Sequence, residues 1–463
     1  MSESREDCLW WQGSDPDCLQ ANIMQGRHTT DIAIVGGGFT GLWAAIHAKL
    51  LAPDTDVTLL EARAFGHGAS GRNGGWLMGT LEGLSRYACD DGRLTDATRD
   101  ILRQLIPDFA KTLETLAIDC ELNLAGAIYA AAHYPEQAHR ARDYLEAHHR
   151  LGFDDTDFRW LSADAVMERV QLPAVSGGVF TPHVATLHPG LLIKGLVSAA
   201  RQLGVQLYSQ TPATHWASSK LHTPSGELTF QQLLLATEGY GEGLRPKHLL
   251  PVQSGMVATT PLAAHIWEEI GLAGREALCD FSRGSTYLQR TSDNRLIVGA
   301  RGHYRYGGRC QHAFGLSPED RAMRIAMARQ WFPILRNVEF PYAWGGSLAV
   351  PRDYAPALIV DRDAAVMTAG GYLGEGVGAS FLFGRTAAEL MHGRSTAGTS
   401  MPWVRESTVM PKRWETEPLP TLGFHGLMAL YRIEDWAHTQ NTPTIVRKAA
   451  TSLCDRTETL LGL

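Results

Sequence analysis

The sequence predicts an α/β fold, a parallel dinucleotide-binding sheet, joined to an α+β domain built on an antiparallel sheet. Three observations carry this. An apolar run, Ile32–Val35, is followed by the spacing Gly36-x-Gly38-x-x-Gly41 and by a second apolar run, Val57–Leu60, that closes on Glu61. A second glycine-rich stretch, "GHGASGRNGGW", spans Gly66 to Trp76. Residues 250–345 alternate apolar and polar, and "STYLQRTSDNRLIVGA" reads as a hairpin turning at Ser-Asp-Asn.

The first observation is a βαβ unit. Ile32, Ala33, Ile34 and Val35 make the continuous apolar run of a parallel strand buried on both faces. Leu42, Ala45, Ile46 and Leu50 then follow at helical spacing. Strand, tight turn, helix and strand within about thirty residues form a Rossmann-like unit. Gly36 permits the turn, Gly38 lets backbone approach a pyrophosphate, and Gly41 lets the helix pack on the strand. The helix start, at Phe39 and Thr40, presents N–H groups and partial positive charge to phosphate. Glu61, followed by Ala62 and Arg63, is placed for ribose hydroxyls, and an acid there disfavours a 2′-phosphate, so NADP is not expected. The motif alone does not choose NAD over FAD.

The stretch from Gly66 to Trp76 does choose. It is too rich in glycine for a helix or a sheet core, and it carries Ser70, Arg72 and Asn73. A pliable backbone with one guanidinium and several small donors suits wrapping around a phosphate and a flat polar ring. A mobile linker, the alternative, would be uniformly small and polar. "GGGFTGLWAA", "LLEA" and "GASGRNGG" together resemble the FAD-dependent amine and amino-acid oxidoreductases of the D-amino-acid oxidase type, nearest the gamma-glutamylputrescine oxidase and aminophosphonate oxidoreductase branch. Further landmarks agree in order: "ATLHPGLL", "LLLATEGY", "YLQRTSDNRLIVGA", "WGGSLA" and "AGGYLGEGVGASFLFGR". The resemblance runs from about Asp31 to Gly393 and fades on either side.

That resemblance implies bound FAD, held without a covalent bond because no Cys or His sits in a recognisable attachment motif. The implied cofactor contacts are Gly36, Gly38, Phe39, Thr40 and Gly41; Glu61, Ala62 and Arg63; Gly68, Ala69, Ser70, Arg72, Asn73, Gly74 and Gly75; Ala213, Thr237, Gly239 and Trp344; and Gly371, Tyr372, Leu373, Gly374, Glu375, Gly376 and Val377. It also implies a discontinuous organisation. Residues 1–85, 160–248 and 345–393 would form the FAD-binding domain, 86–159 and 249–344 the substrate domain, and 394–463 a C-terminal extension.

The expected reaction is oxidation of a C–N bond in a small amine or amino acid, with hydride passing to flavin N5 and the imine hydrolysing to a carbonyl. Such chemistry needs alignment, desolvation and an electron-poor flavin rather than a strong base. A helix is expected from about Ala379 to Met391, and the resemblance places its N-terminus under the flavin pyrimidine. A helix N-terminus stabilises an anion there by about 0.3–2 kcal/mol. Trp76, Tyr287, Arg290 and Glu375 are the substrate-side candidates. Trp76 reads equally as ring wall or core, and Arg290 as substrate contact or hairpin surface. Glu375 departs from the family pattern, which has an uncharged residue between these glycines. A carboxylate there opposes flavin reduction unless a cationic amine pairs with it or it turns away to solvent or an arginine. Arg301, Arg305 and Arg309 lie in one glycine-rich loop, either an anion-attracting lid or an exposed basic loop. The partners implied are an amine substrate and O₂ or another electron acceptor. An aminophosphonate or N-methyl-amine dehydrogenase that does not use oxygen, and a non-catalytic FAD protein, are the alternatives. An aromatic hydroxylase is disfavoured because "GGYLGEGVGAS" stands where a Gly-Asp-Ala-Ala-His-like segment is usual.

Composition sets the remaining bounds. The 463 residues, 44% hydrophobic, suffice for two or three domains. A net charge of −7 with no basic block argues against a nucleic-acid partner. No apolar stretch is long enough to span a membrane. The start, "MSESREDCLWWQGSDPDCLQ", lacks a basic region followed by an apolar core, so a cytoplasmic location is expected. Seven scattered cysteines with no CxxC read as reduced thiols, and no metal site is expected. His148 and His149 are expected on a solvated helical face. Residues 95–118 read as a helix capped by Thr95. After Gly393 a Pro- and Thr-rich loop leads to a helix with apolar positions Leu427, Leu430, Tyr431 and Trp436, which packs on the body or on a partner subunit. The sequence leaves the oligomeric state open.

Overall fold

The computed structural model describes residues 5–461 except 14–15, 242, 245–247, 410 and 441. Two large sheets carry the architecture. The first is centred on Gly26–Val35, which pairs in parallel with Gly226–Leu235 on one side and Val57–Leu60 on the other. Its spatial order is Val404–Glu406, Ala357–Asp361, Val366–Gly370, Gly226–Leu235, Gly26–Val35, Val57–Leu60 and Gln206–Tyr208. The expected meander is present: His215–Ala217 and Lys220–Thr223 fold back on Gly226–Leu235. Continuous apolar strands imply cover on both faces. One face is covered by the helices Phe39–Leu51, Pro189–Gln202 and Gly376–Met391.

The first and last of these helices approach closely. A Cβ at Gly384 would stand 2.8 Å from Trp43 Cβ and 3.0 Å from the Ala44 nitrogen. Trp43, Phe109 and Phe381 meet edge to face behind this contact.

The second sheet has the order Tyr342–Pro351, Leu249–Ala258, Leu296–Arg301, Thr286–Arg290, Ala277–Asp280, Ala127–Ala131, Gly177–Thr181 and Arg159–Leu161. All its pairings are antiparallel except Ala277–Asp280 with Ala127–Ala131. The expected hairpin is there, joining Thr286–Arg290 to Leu296–Arg301. Ile128, Val257, Leu278, Leu288, Val298 and Trp331 form its separate core.

The chain exchanges between the sheets differently from the sequence expectation. Gly177–Thr181, expected with the nucleotide-binding segments, belongs to the second sheet. Helix Asp96–Thr115, capped by Thr95 as expected, packs by Phe109 on Trp43 and Phe381 of the first sheet's helical layer. Alternation of apolar residues reports which face is buried, not against which sheet. His148 also departs from expectation. Its ring packs 4.0 Å from Phe158 and 4.3 Å from Tyr144, and burial lowers its pKa to about 4.

The C-terminal extension forms two helices, Leu419–Thr439 and Thr444–Leu461, with a small core of Leu427, Tyr431 and Cys454. They pack on the body of the same chain, largely through charge. Glu434, fully buried, accepts hydrogen bonds from Arg140, Thr451 and, at 2.8 Å, Arg283 Nε. Arg283 also binds Asp455 and Glu458. Burial alone would raise the Glu434 pKa, but Arg140, Thr451 and Arg283 pull it below the ordinary value. Glu434→Ala should therefore leave two guanidiniums under-paired in a dry contact, costing about 3–5 kcal/mol. The expected result is faster amide hydrogen exchange across residues 419–461, with exchange in the first sheet little changed.

Candidate active site

The two sheets face one another across a cavity of about 1640 Å³. That exceeds the roughly 300–1,000 Å³ of an ordinary small-ligand site. It is wide enough for a dinucleotide together with a substrate.

The nucleotide end is built by the βαβ unit. Gly36 has φ +115°, and a Cβ there would collide with the Ala236 carbonyl. A Cβ at Gly41 would run into the Gly36 carbonyl, which is why helix and strand can close only on glycine. Helix Phe39–Leu51 begins after Gly38, which has no side chain to cap it. Ser70 Oγ lies 2.9 Å from the Phe39 nitrogen and accepts a hydrogen bond from its N–H. Glu61 Oε2 accepts from the Gly37 N–H and Oε1 from the Arg63 N–H, each at 2.8 Å. Burial raises its pKa, while those two N–H groups and Arg5 oppose the rise. Each carboxylate oxygen keeps a second lone pair for a ribose hydroxyl. The helix start that follows Gly38, the acid at the strand end and the glycines at 36 and 38 that line the groove together fit FAD.

The loop Gly66–Trp76 is held more tightly than its glycines suggest. Arg72, expected among the cofactor donors, lines the cavity but is 1% exposed and is taken up by main chain. Its guanidinium donates to the carbonyls of His67, Gln311, His312, Ala313 and Gly345, over the Phe314 ring at 3.6 Å. His67, its pKa lowered to about 2 by burial and by Arg72, sits 3.0 Å from Arg72 Nη2. The segment before residue 31 secures the other side. Trp10 Nε1 donates to the Asn73 carbonyl at 2.7 Å and Trp11 Nε1 to the Gly71 carbonyl at 2.9 Å. The doublet Trp10–Trp11 was the available signal for this contact.

Of the expected cofactor positions, Gly36, Gly38, Phe39, Thr40, Glu61, Ala62, Arg63, Gly68, Ala69, Ser70, Arg72, Asn73, Gly74, Ala213, Thr237 and Tyr372–Val377 line the cavity. Gly41, Gly75, Gly239, Gly371 and Trp344 stand behind it. Trp344 is fully buried, 5.7 Å from Trp10 ring to ring, so it belongs to the core. Gly75 is pressed against the Leu187 carbonyl and Gln289. The Gly239 carbonyl accepts from Cys310 at 2.6 Å. Gly371 has φ +79° and, with Tyr372, turns its N–H toward Glu238.

Glu238 was not expected. It lines the cavity, accepts from the Tyr372 N–H at 3.0 Å, and its Oε2 has no hydrogen-bond partner among the described residues. Burial raises its pKa to about 7.

At the far end the expected Trp76, Tyr287 and Glu375 come together, joined by Tyr129, Tyr144 and Glu82. Trp76 meets Tyr129 at 6.4 Å and Tyr287 at 6.0 Å, both edge to face, and Tyr129 stacks on Tyr144 at 5.3 Å. Gly299 makes room for the Tyr287 ring, since a Cβ there would overlap it. Glu375 is the residue before helix Gly376–Met391, which starts three residues earlier than expected, and its side chain caps no N–H. Burial, then the charge of Glu82, pushes its pKa well above the usual carboxyl range. Glu375 in turn helps to raise Tyr129 and Tyr144, both already raised by burial.

The structure does not bring Arg290 into this group. It stacks over Trp267 at 4.4 Å and donates to Asn294 Oδ1 on the outer side of its hairpin. Of the three arginines in the 301–309 loop, the described side chains do not converge on the aromatic end, and neither lines the cavity. Arg305 donates to Gln311 and Arg309 is exposed, while the Arg301 side chain lies outside the described set. Among the described residues no cluster of His, Cys, Asp or Glu could hold a metal, the cysteines are free thiols, and no helix is long and apolar enough to cross a membrane.

Two predictions follow from this geometry. Because Glu238 keeps its proton to about pH 7 when folded and loses it near 4.5 when unfolded, it costs no stability below 4.5. It costs progressively more up to about pH 7 and a constant amount above. Glu238→Gln should therefore stabilise the cofactor-depleted protein at pH 8 but not at pH 4, as read by urea unfolding at both. Trp10→Phe removes one donor from the flavin loop while keeping most of the packing. It should lower FAD affinity about fivefold to tenfold for one net hydrogen bond of about 1 kcal/mol or slightly more, measured by flavin fluorescence on reconstitution.

Comparisons with known proteins agree on FAD as the cofactor. Residues 31–390 match the DAO family model, described as FAD dependent oxidoreductase. The chain is 32% identical over 404 residues to a probable oxidoreductase OrdL of Rhizobium meliloti, covering 84% of this chain and 89% of that protein. It is 27% identical to gamma-glutamylputrescine oxidoreductase of Escherichia coli, covering 79% and 84%. Among solved structures it is similar in fold to glycine oxidase from Geobacillus kaustophilus, with a TM-score of 0.66 and 23% identity over 80% of this chain and 96% of that one. A family match that runs from the βαβ unit through most of both sheets and into helix Gly376–Met391 leaves one conclusion: this chain belongs to the DAO family and is an FAD-dependent oxidoreductase.

Proposed function

We propose that the protein oxidises a C–N bond of a small amine that it binds as a cation. The observation that carries this reading is the far end of the cavity, where Glu375 and Glu82 stand among Trp76, Tyr129, Tyr144 and Tyr287. Aromatic faces and carboxylates in a desolvated pocket attract an ammonium group. The arginines on this side are engaged elsewhere, Arg140 and Arg283 with Glu434, and Arg352 with Glu415. This favours an amine over an α-amino acid, whose carboxylate needs a guanidinium of its own. The similarity to a gamma-glutamylputrescine oxidoreductase supports the same direction.

Bound FAD supplies the two-electron acceptor. The chain's own part is to hold the amine and take its proton. Burial, then the charge of Glu82, which is itself exposed, favours the protonated form of Glu375, and an arriving ammonium would shift the pair toward ionisation. The ionised member receives the ammonium and accepts its proton, leaving the neutral nitrogen whose lone pair assists loss of the α-hydride. The imine product then hydrolyses to a carbonyl compound and ammonia or a smaller amine.

Anaerobic mixing with primary and secondary amines should bleach the flavin absorbance. Glu375→Gln should weaken amine binding at least tenfold, since the carboxyl that an ammonium would ionise is lost, and should shift the flavin reduction potential upward at pH values above its raised pKa. Unchanged affinity together with unchanged potential would remove Glu375 from the mechanism.

A further inference from the structure

The family match ends at residue 390, yet the chain beyond it builds a wall of the same cavity. Phe424, Leu427, Met428 and Tyr431, on one face of helix Leu419–Thr439, line it. This face adjoins the aromatic end directly. Phe281 lies 5.6 Å from the Tyr144 ring and 6.2 Å from Tyr129. Two residues on, Arg283 sits 5.8 Å from the Tyr431 ring and ties Glu434 and Glu458 to the body. The Tyr431 hydroxyl is itself committed, donating to Glu458. The surface offered to the cavity is therefore apolar, with its neighbouring charges already paired.

We propose that this wall selects substrate by its carbon substituent, the ammonium group lying at Glu375 and Glu82 and an alkyl or aryl tail lying on Phe424, Leu427 and Met428. The assignment rests on the amine reading above. The three side chains are then specificity determinants supplied from outside the matched family region. The ion pairs around Glu434 fix their distance from the aromatic end.

Binding of n-alkyltrimethylammonium ions, which carry the charge but no oxidisable N–H, tests this on the FAD-loaded protein by calorimetry. Affinity should rise about twofold to fourfold per methylene as the tail covers apolar wall. Met428→Ser and Phe424→Ala should each flatten that rise, with a loss that grows with tail length and is smallest for tetramethylammonium. Flavin absorbance and the melting temperature report that each variant is folded. Affinity independent of tail length in the unmodified protein, or an equal loss at every length in both variants, overturns the wall and leaves the amine reading standing. If no ammonium ion binds at any length, the amine reading fails and the wall assignment with it.

Discussion

A guanidinium removed from water organises much of this molecule. Arg72 donates to carbonyls of its own loop, of the 311–313 segment and of the strand Tyr342–Pro351. Burying that charge is tolerable only if most of its donors are satisfied at once, and main-chain carbonyls from separate segments do this. The same contact brings the cofactor loop of the first sheet against the edge of the second. The cavity exists where these sheets are held together but cannot touch.

The βαβ unit was legible in the sequence because each glycine there is demanded by a local steric fact. Gly36 and Gly41 have carbonyls where a Cβ would be. The hairpin and the capped helix at Thr95 were legible for similar reasons of short range. What the sequence concealed depends on contacts far along the chain. Arg72 carries the composition of a phosphate ligand, and only the fold reveals that carbonyls have claimed it. Trp344 sits in a family landmark yet belongs to the core. Arg290 lies on the right strand, but its side chain folds onto Trp267 and Asn294. Tyr129, Tyr144 and Glu82 lie on segments with no motif, and nothing local marks them as neighbours of Glu375.

Both ends of the chain lie outside the family match, and they support the cavity by different physics, the N-terminal end from behind the 66–76 loop and the C-terminal end as part of the wall. The N-terminal tryptophans bury large rings and spend their N–H groups on two carbonyls of the cofactor loop. The C-terminal helices have little core of their own and are held by Glu434, Asp455 and Glu458 against Arg140 and Arg283. Packing of the first kind is rigid and insensitive to ions. Attachment of the second kind is partly screened by salt where its charges meet solvent. One end of the cavity is thus set by shape and the other by charge.

The central strand Gly26–Val35 carries a consequence for synthesis in the cell. Its parallel neighbour Gly226–Leu235 arrives some two hundred residues later, the separation between Asp31 and its hydrogen-bond partner Gln231. Until that segment leaves the ribosome, an apolar strand with an unpaired edge has Val57–Leu60 as a neighbour on one side only. Such an edge templates pairing with other chains, and contacts of long sequence separation form slowly. Nascent chains of this protein should therefore be frequent clients of chaperones that shield exposed strands. Overproduction without them favours aggregation before any cofactor can bind.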